Sequence, residues 1–433
     1  MNRRNFLKLG AIGATITAVP FVRWARAAEP YAGPFYVHLN ANGAWDPIYF
    51  CDPKSDSMVA RYADIGTAGP FSYAATSITD LAAIGLDAAV PEASAYLMSN
   101  EAFFTKYADR VRIINGVDTL TNNHDVGARA AATGQNADGH PSFGAIAAAA
   151  FGGDKAIAYV SSNGYDATHG LVANSRLTSG SYARIANPFE SDTANPGNAP
   201  YHLASTQARI RAAHAARTNA LKSREHLPRA KNAITAFERS RLEDDTLSRL
   251  QLPTLITLPG NQLGDLQGLL QQIQLVVAGF KAGLVVSSSI GLGGFDTHNN
   301  HEANHIRQLA KLLFAIDYLW ETAAAAGLAD KITLMVTSDF GRGPGFNATN
   351  GKDHWPVTSA MFMGRNIAPG QIGGTDAGSR PLRVDPTTLA PNTSGIRITP
   401  THLHQEMRRI AGVGESAGAK QFPLAGTELR LLG

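Results

Sequence analysis

Short apolar runs alternate with longer stretches of helical periodicity along most of this chain. The runs lie at residues 35–40, 111–117, 156–161, 283–290, 331–337 and 359–363. Continuous apolar runs of this length are typical of strands that are buried on both faces of a sheet. The pattern therefore predicts a strand at each of these positions.

The clearest helical pattern covers residues 302–326. Gly327 ends this helix, and the strand at 331–337 follows. A second helix is predicted at 88–108. Strand, helix and strand in this order indicate a parallel sheet with helical crossovers. We expect an α/β fold with a doubly wound, mostly parallel sheet and helices on both faces. The apolar stripe of the 302–326 helix repeats at spacings of three and four residues and consists of His305, Leu309, Leu312, Ile316, Leu319 and Ala323.

Residues 203–250 differ from the rest of the chain in composition. They are rich in Ala, Arg, Lys and Glu, and Pro228 interrupts them. We expect two helices here, as an insertion into one main domain that covers residues 28–433. The segments 161–202 and 364–400 are rich in Ser, Gly, Asn and Pro, which is typical of loops.

The N-terminus has the features of an export signal. Arg3 and Arg4 precede a polar residue, Phe, Leu and Lys, an order that resembles the twin-arginine signal. A short apolar stretch and a small-x-small cleavage sequence at 25–27 follow. We expect residues 1–27 to be a signal peptide, with the folded protein carried by the twin-arginine translocase to the periplasm or beyond. No other apolar stretch is long enough for a stable membrane span.

The formal net charge of +3 comes from this N-terminal segment. Residues 1–27 hold five basic groups and no acidic one, which leaves 33 basic and 35 acidic residues in 28–433. That balance does not favour a nucleic-acid partner. Cys51 is the only cysteine, so an intramolecular disulfide, a Cys-rich zinc site and an iron–sulfur cluster are excluded.

Three motifs pair an acidic residue with histidine or arginine beside a predicted strand. The carboxyl ends of parallel strands face one crevice, where such sheets bind ligands. Carboxylate and imidazole together suit zinc, manganese or iron, and an arginine there would bind an anionic group through two hydrogen bonds. The motifs are Asp296-Thr-His298, Asp339-Phe-Gly-Arg342 and Asp353-His354.

Two earlier segments add candidates. Asp46 follows the first strand and is either a further carboxylate ligand or a turn residue before Pro47. His124 follows the strand at 111–117 and is a metal ligand, an acid–base residue or a structural residue.

Taken in order, Gly-Gly-Phe-Asp296-Thr-His298, Ser338-Asp339-Phe-Gly-Arg342 and Asp353-His354 resemble the motifs of the uncharacterised DUF1501 family, whose members commonly carry twin-arginine signals. That family is similar to the alkaline phosphatase and sulfatase superfamily, in which a doubly wound sheet carries two divalent metal ions. The resemblance implies an alkaline-phosphatase-like fold. It also implies that one metal ion is held by Asp296, His298 and His354 and a second by Asp46 and Asp339.

The resemblance implies metal-dependent hydrolysis of a small anionic ester, a phosphate or a sulfate, with zinc, manganese, iron or calcium as the ion. Arg342 would stabilise charge that develops on the transferred group, and His124 would act as an acid or base. Two departures weaken the parallel with the superfamily. Phe340 stands where a metal-binding histidine is expected, and no nucleophilic Ser, Thr or Cys is identifiable.

Two other functions stay open. The missing nucleophile is compatible with a non-catalytic cell-envelope binding or assembly protein that has a degenerate site. In addition, His301-Glu302-x-x-His305 matches the H-E-x-x-H pattern of zinc peptidases. Glu302 is equally suited to the N-terminus of a helix, where its charge complements the helix dipole.

Overall fold

The computed structural model describes residues 30–56, 59–62, 64–153, 155–176, 178, 202–242, 247 and 249–433. The predicted signal segment, residues 1–27, lies outside the described residues, as does most of the predicted loop at 161–202. The strands are β1 (Phe35–Ala41), β2 (Asp64–Ala68), β3 (Phe71–Ala75), β4 (Val111–Asp118), β5 (Tyr159–Ser161), β6 (Asn174–Arg176), β7 (Ser287–Leu292), β8 (Ile332–Ser338), β9 (Gly341–Arg342), β10 (His354–Trp355), β11 (Val357–Gly364) and β12 (Gly370–Gly373).

The α-helices lie between these strands and after the last of them. They are α1 (Asn100–Tyr107), α2 (His124–Thr133), α3 (Phe143–Gly152), α4 (Ala204–Arg224), α5 (Pro228–Leu242), α6 (Gly264–Lys281), α7 (His301–Ala325), α8 (Pro400–Ile410) and α9 (Ala417–Gln421). Within the part of the chain that the structure describes, every helix is too short or too polar to cross a membrane.

One large sheet organises the protein. Its strand order is β12-β4-β11-β8-β1-β7-β5-β6. All neighbouring pairs are parallel except those that involve β11, which is antiparallel to β4 and to β8. The structure confirms the predicted α/β class and the mostly parallel sheet. The sequence did not predict the direction of β11, because a strand that is buried on both faces has the same pattern in both directions.

The hydrophobic core lies on both faces of this sheet. Alternate residues of β1 point to opposite sides: Val37 packs in a cluster with α6 and α7, whereas Tyr36 packs with α3 and α8. The helix predicted at 302–326 is α7, and its predicted stripe is buried. Helices therefore cover both faces, as a doubly wound sheet requires.

Three sequence predictions need adjustment. The helix predicted at 88–108 is shorter, because the Ser99 side chain accepts a hydrogen bond from the backbone N–H of Ala102 and fixes the start of α1. A 3₁₀-helix (Pro91–Tyr96) precedes it. The segments expected to be loops contain the short strands β6 and β12, which add to the two edges of the sheet.

Candidate metal centre

The carboxyl ends of the central strands bring most candidate residues to one edge of the sheet. Strands β4, β8, β1 and β7 end at this edge, and the antiparallel β11 begins there. His124 begins α2 after β4, and Asp296 and His298 follow β7. Asp339 follows β8, and His354 precedes β11. The strand order thus unites segments that are far apart in sequence.

Three imidazoles and one carboxylate meet at this edge. One ligand atom from each of His124, Asp296 and His354 lies within 4.8 Å of the others. His298 joins them, because its Nε2 atom lies 2.9 Å from Nε2 of His354 and 3.1 Å from Oδ1 of Asp296. The Nε2 atom of His124 lies 3.6 Å from Oδ2 of Asp296. We call these four residues the His–Asp cluster.

The outer nitrogen of each imidazole faces an oxygen atom. Nδ1 of His354 lies 2.9 Å from the carbonyl oxygen of Asn122. Nδ1 of His124 lies 2.7 Å from Oδ2 of Asp339, and Nδ1 of His298 lies 3.2 Å from Oδ1 of Asp353.

A carbonyl or ionised carboxylate oxygen only accepts hydrogen bonds, so each Nδ1 carries the proton. Each Nε2 of a neutral ring then presents a lone pair to the interior of the His–Asp cluster. The Nε2 atoms of His298 and His354 lie 2.9 Å apart and lie 3.1 and 3.3 Å from Oδ1 of Asp296, and the buried Nε2 of His124 has no hydrogen-bond partner among the described residues. Ring nitrogens and a carboxylate that converge in this way fit a cation.

The chemistry of the donors narrows the choice of metal. Imidazole nitrogens with one carboxylate suit zinc, manganese or iron. Calcium takes oxygen ligands almost exclusively, so the nitrogen-rich His–Asp cluster does not favour it. Metal-bound histidines typically donate their other N–H to a carboxylate or a carbonyl, and all three histidines here have such a partner.

Asp296 is held in place by Arg342. Oδ1 of Asp296 accepts a hydrogen bond of 2.5 Å from Nη2 of Arg342. Partial burial alone raises the pKa of Asp296, but the hydrogen bond and charge of Arg342 outweigh burial and lower that pKa. The carboxylate is therefore ionised at neutral pH and available as an anionic ligand.

The position of Arg342 differs from the prediction that it binds an anionic substrate. Its side chain is buried. Nε donates to the carbonyl of Ala44, Nη1 donates to the carbonyl of Lys352, and Nη2 also donates to the carbonyl of Gly43. Four hydrogen bonds within the protein and full burial hold the guanidinium group, so Arg342 orients Asp296 and is not exposed to a ligand in solvent.

Asp339 and Asp353 support the His–Asp cluster from outside. Asp339 is buried, and its Oδ2 atom accepts hydrogen bonds from His124 and from the backbone N–H of Gly43. Asp353 is exposed and accepts from His298 and from the Asn347 side-chain amide. The oxygen atoms that face these two histidines bond to Nδ1 and not to the inner Nε2 atoms. In this structure both residues position ligands.

The structure does not bring Asp46 to the His–Asp cluster. Its carboxylate is fully buried, with Oδ2 at 2.7 Å from Nζ of Lys352 and 3.0 Å from Nε2 of His301. Oδ1 caps a 3₁₀-helix (Pro47–Tyr49) by accepting from the N–H of Ile48. The predicted second ligand pair of Asp46 and Asp339 is therefore not formed, because Asp46 turns inward to a buried cation.

The two histidines of the H-E-x-x-H sequence are part of the same buried network. His301 and His305 stack on each other in the interior. Nε2 of His305 accepts from the N–H of Asp46, and Nε2 of His301 contacts the Asp46 carboxylate. A peptidase site needs these nitrogens to face an accessible metal, so the geometry does not support the peptidase alternative.

Sequence reasoning missed several supporting groups. Lys352 neutralises Asp46, the Asn122 carbonyl orients His354, and Phe340 packs against the rings of His124 and His354 with centroid distances of 4.7 and 4.6 Å. Lys352 could have been noticed in the sequence, because it is a charged residue directly before the Asp353-His354 motif. A backbone carbonyl leaves no signal in the sequence.

Part of the chain matches the model of a known protein family. Residues 282–413 match the family model described as protein of unknown function DUF1501. No curated protein matches the chain. A solved structure of a mutant TAB5 alkaline phosphatase with Mg bound in its M3 site is similar at 10% identity and a TM-score of 0.29, covering 77% of this chain and 91% of that chain. A 2-O GAG sulfatase is similar at 11% identity and a TM-score of 0.31, covering 90% and 72%. The family match covers Asp296, His298 and His354, which belong to the motifs on which the resemblance is based.

Proposed function

We propose that this protein is a metal-dependent hydrolase of small anionic esters, phosphates or sulfates, with its metal ion in the His–Asp cluster. The observation that carries the proposal is the convergence of the Nε2 atoms of His124, His298 and His354 on the Asp296 carboxylate, each imidazole being fixed by a contact between its outer nitrogen and an oxygen atom.

Exposure and charge support a role in binding an anion. The side chains of Asp296 and His298 are 48% and 44% exposed, so a small ligand can reach the His–Asp cluster. Three neutral imidazoles and one carboxylate leave a bound divalent ion with a net positive charge, which attracts anions. When bound, such an ion supplies Lewis acidity and lowers the pKa of a coordinated water.

The protein's own residues provide the positioning for this chemistry. Arg342 fixes Asp296, Asp339 fixes His124, and Asp353 fixes His298. These contacts place the ligands before a substrate arrives, which avoids reorganisation during the reaction.

Elemental analysis of protein purified without chelator tests the metal centre. We expect about one equivalent of zinc, manganese or iron in the wild-type protein, as one cluster holds one ion. His354→Ala should lose most of it, because one of the converging nitrogens is removed. His214→Ala is the matched control, since His214 is an exposed histidine on α4. Its metal content should equal that of the wild type.

Turnover is then measured with aryl phosphate and aryl sulfate esters. Hydrolysis that requires added metal and is lost in His354→Ala supports the proposal. The proposal is contradicted if metal-free wild-type protein takes up no metal ion from a micromolar solution. Stoichiometric metal without turnover of either ester class favours the alternative, a non-catalytic binding or assembly protein of the cell envelope.

We further propose that the chain is exported by the twin-arginine translocase to the periplasm. The paired Arg3 and Arg4 and the sequence that follows them support this. Cell fractionation tests it: the Arg3→Lys, Arg4→Lys double variant should accumulate in the cytoplasm while the wild type is exported. Equal export of both proteins contradicts the proposal.

A further inference from the structure

The two inserted helices concentrate positive charge that the net charge conceals. We call residues 202–242, which contain α4 and α5, the helical hairpin. It holds nine Lys and Arg residues and two acidic ones, whereas the rest of residues 28–433 holds 24 basic and 33 acidic residues. A nearly neutral protein therefore has a basic surface element, while the remaining residues carry a net negative charge. Such charge asymmetry indicates an anionic partner for the basic part.

The basic side chains are accessible. On α4, Arg209, Arg217 and Arg224 are exposed, and Arg229 and Lys231 are exposed at the start of α5. The helix α4 buries little of its surface, in contrast to α6 and α7, which contribute many residues to the core. The helical hairpin is thus a surface element whose charge does not serve the core.

Apolar side chains are exposed at the turn of the same element. Leu221 is 48% exposed and Leu227 is 67% exposed, on either side of the connection between α4 and α5. Arg224, Arg229 and Lys231 flank them. The turn therefore combines leucines with basic residues within a short stretch, the combination that binds at the interface of an anionic bilayer.

We propose that the helical hairpin binds the surface of a bilayer that contains anionic lipids. The basic residues would attract the phosphate groups of the lipids, and Leu227 would enter the boundary between headgroups and acyl chains. A nucleic acid would use the positive charge but would leave the leucines in water, so the combination favours a lipid surface. The interaction is peripheral, and it does not depend on the His–Asp cluster.

Co-sedimentation with vesicles tests this directly. Residues 28–433 are mixed with vesicles of phosphatidylcholine alone or with one third phosphatidylglycerol, at low and at physiological salt. We expect binding to the anionic vesicles only, weaker at higher salt because the charges are exposed. The triple variant Arg224→Gln, Arg229→Gln, Lys231→Gln should bind the anionic vesicles about a hundredfold more weakly. The reason is that each basic residue close to the bilayer surface adds to the electrostatic attraction.

Two further variants test whether the position of the charges and the exposed leucine matter for vesicle binding. A matched triple variant on the body, Lys281→Gln, Arg365→Gln, Arg380→Gln, removes the same charge from exposed positions and should bind like the wild type. At physiological salt, where the charges are screened, Leu227→Ser should bind the anionic vesicles more weakly than the wild type does. The metal content and thermal midpoint of each variant should match those of the wild type, which shows that it is folded.

Three results would overturn the proposal. One is equal binding to neutral and anionic vesicles, and another is unchanged binding of the hairpin triple variant. The third is retention of single-stranded nucleic acid without any vesicle binding, which would assign the basic surface to a different partner. Loss of metal binding in His354→Ala with vesicle binding intact would separate this inference from the proposed hydrolase activity.

Discussion

Replacement of Lys352 by Met tests the buried charge network beneath the His–Asp cluster. Lys352 and Asp46 are both fully buried, and Nζ lies 2.7 Å from Oδ2 of the carboxylate. Nζ also lies 5.2 Å from the ring centroids of Tyr49 and Phe346. Met fills much of the same volume but carries no charge, so Lys352→Met leaves the Asp46 carboxylate without its buried cation.

The expected cost follows from this burial. Removal of one partner of a buried ion pair destabilises a protein by about 3–5 kcal/mol, because the other charge stays buried. With an unfolding entropy of about 2 cal/mol/K per residue, a chain of this length should lose roughly 3–6 °C in thermal midpoint. An exposed lysine offers the control: Lys281→Met should change the free energy of unfolding by less than about 0.5 kcal/mol.

Thermal unfolding of four proteins measures the effect: the wild type, Lys352→Met, Asp46→Asn and the double variant. The double variant should be less destabilised than the sum of the two single variants, because the second substitution removes the charge that the first one left unpaired. Strict additivity, or a Lys352→Met midpoint within about 1 °C of the wild type, would refute the reasoning.

The pH dependence provides an independent check on the same pair. Burial raises the pKa of Asp46, but Lys352 and His301 together outweigh burial and hold that pKa below its usual range. A carboxyl group with a depressed folded-state pKa stabilises the protein above its unfolded pKa of about 4, and this contribution is lost as the pH falls below that value. The unfolded-state pKa of Asp46 is the same in both proteins, so only the folded states differ. The difference in stability between the wild type and Lys352→Met should therefore be largest near neutral pH and shrink as the pH falls and the unpaired Asp46 carboxylate of the variant takes up a proton.

Three other predictions concern the site and the core. Asp339→Asn should lower metal affinity about 10- to 100-fold without abolishing it, as measured by competition with a chelating dye. In Gly351→Ala, a Cβ would lie 1.8 Å from the carbonyl oxygen of His298, so both the metal content and the thermal midpoint should fall. Burial lowers the pKa of His38 to about 3 and that of His404 to about 4. Protonation of either ring disfavours the folded state, so the free energy of unfolding should fall by about 1.4 kcal/mol per histidine and pH unit between about pH 6.5 and pH 4. The fall should be smaller in His404→Gln, as measured by urea unfolding at several pH values.

The fold was predictable where burial leaves a pattern. Strands β1, β4 and β8 are largely apolar because helices cover both faces of the sheet, and this produces nearly continuous apolar runs. Strand β7 is fully buried but begins with three serines, and the apolar residues just before it provide its signal. The edge strands β6 and β12 contain mostly partly buried residues, so their segments were indistinguishable from loops. The direction of β11 depends on the path of the chain between strands, which the composition of the strand itself does not encode.

The site was predictable to the extent that topology decided it. His124, Asp296, His298 and His354 each lie beside the end of a central strand, and neighbouring strand ends bring them together. Asp46 also follows a strand end, but its carboxylate turns inward because Lys352, distant in sequence, provides a buried cation. That pairing arises only in the folded protein, so the sequence alone did not separate a ligand from a buried ion-pair partner.

The division between ligands and supporting residues depends on which ring nitrogen is occupied. The Nδ1 atoms of His124, His298 and His354 contact oxygen atoms supplied by three different segments of the chain, and their Nε2 atoms face the interior of the His–Asp cluster. This arrangement implies an order of effects on metal affinity. Loss of an inner nitrogen, as in His354→Ala, should exceed loss of an outer carboxylate, as in Asp339→Asn. A change at Asp46 should affect folding stability first, since Asp46 contacts none of the three ligand histidines. Equal loss of metal affinity in all three variants would contradict the assignment of roles and indicate that they act only by disrupting the fold.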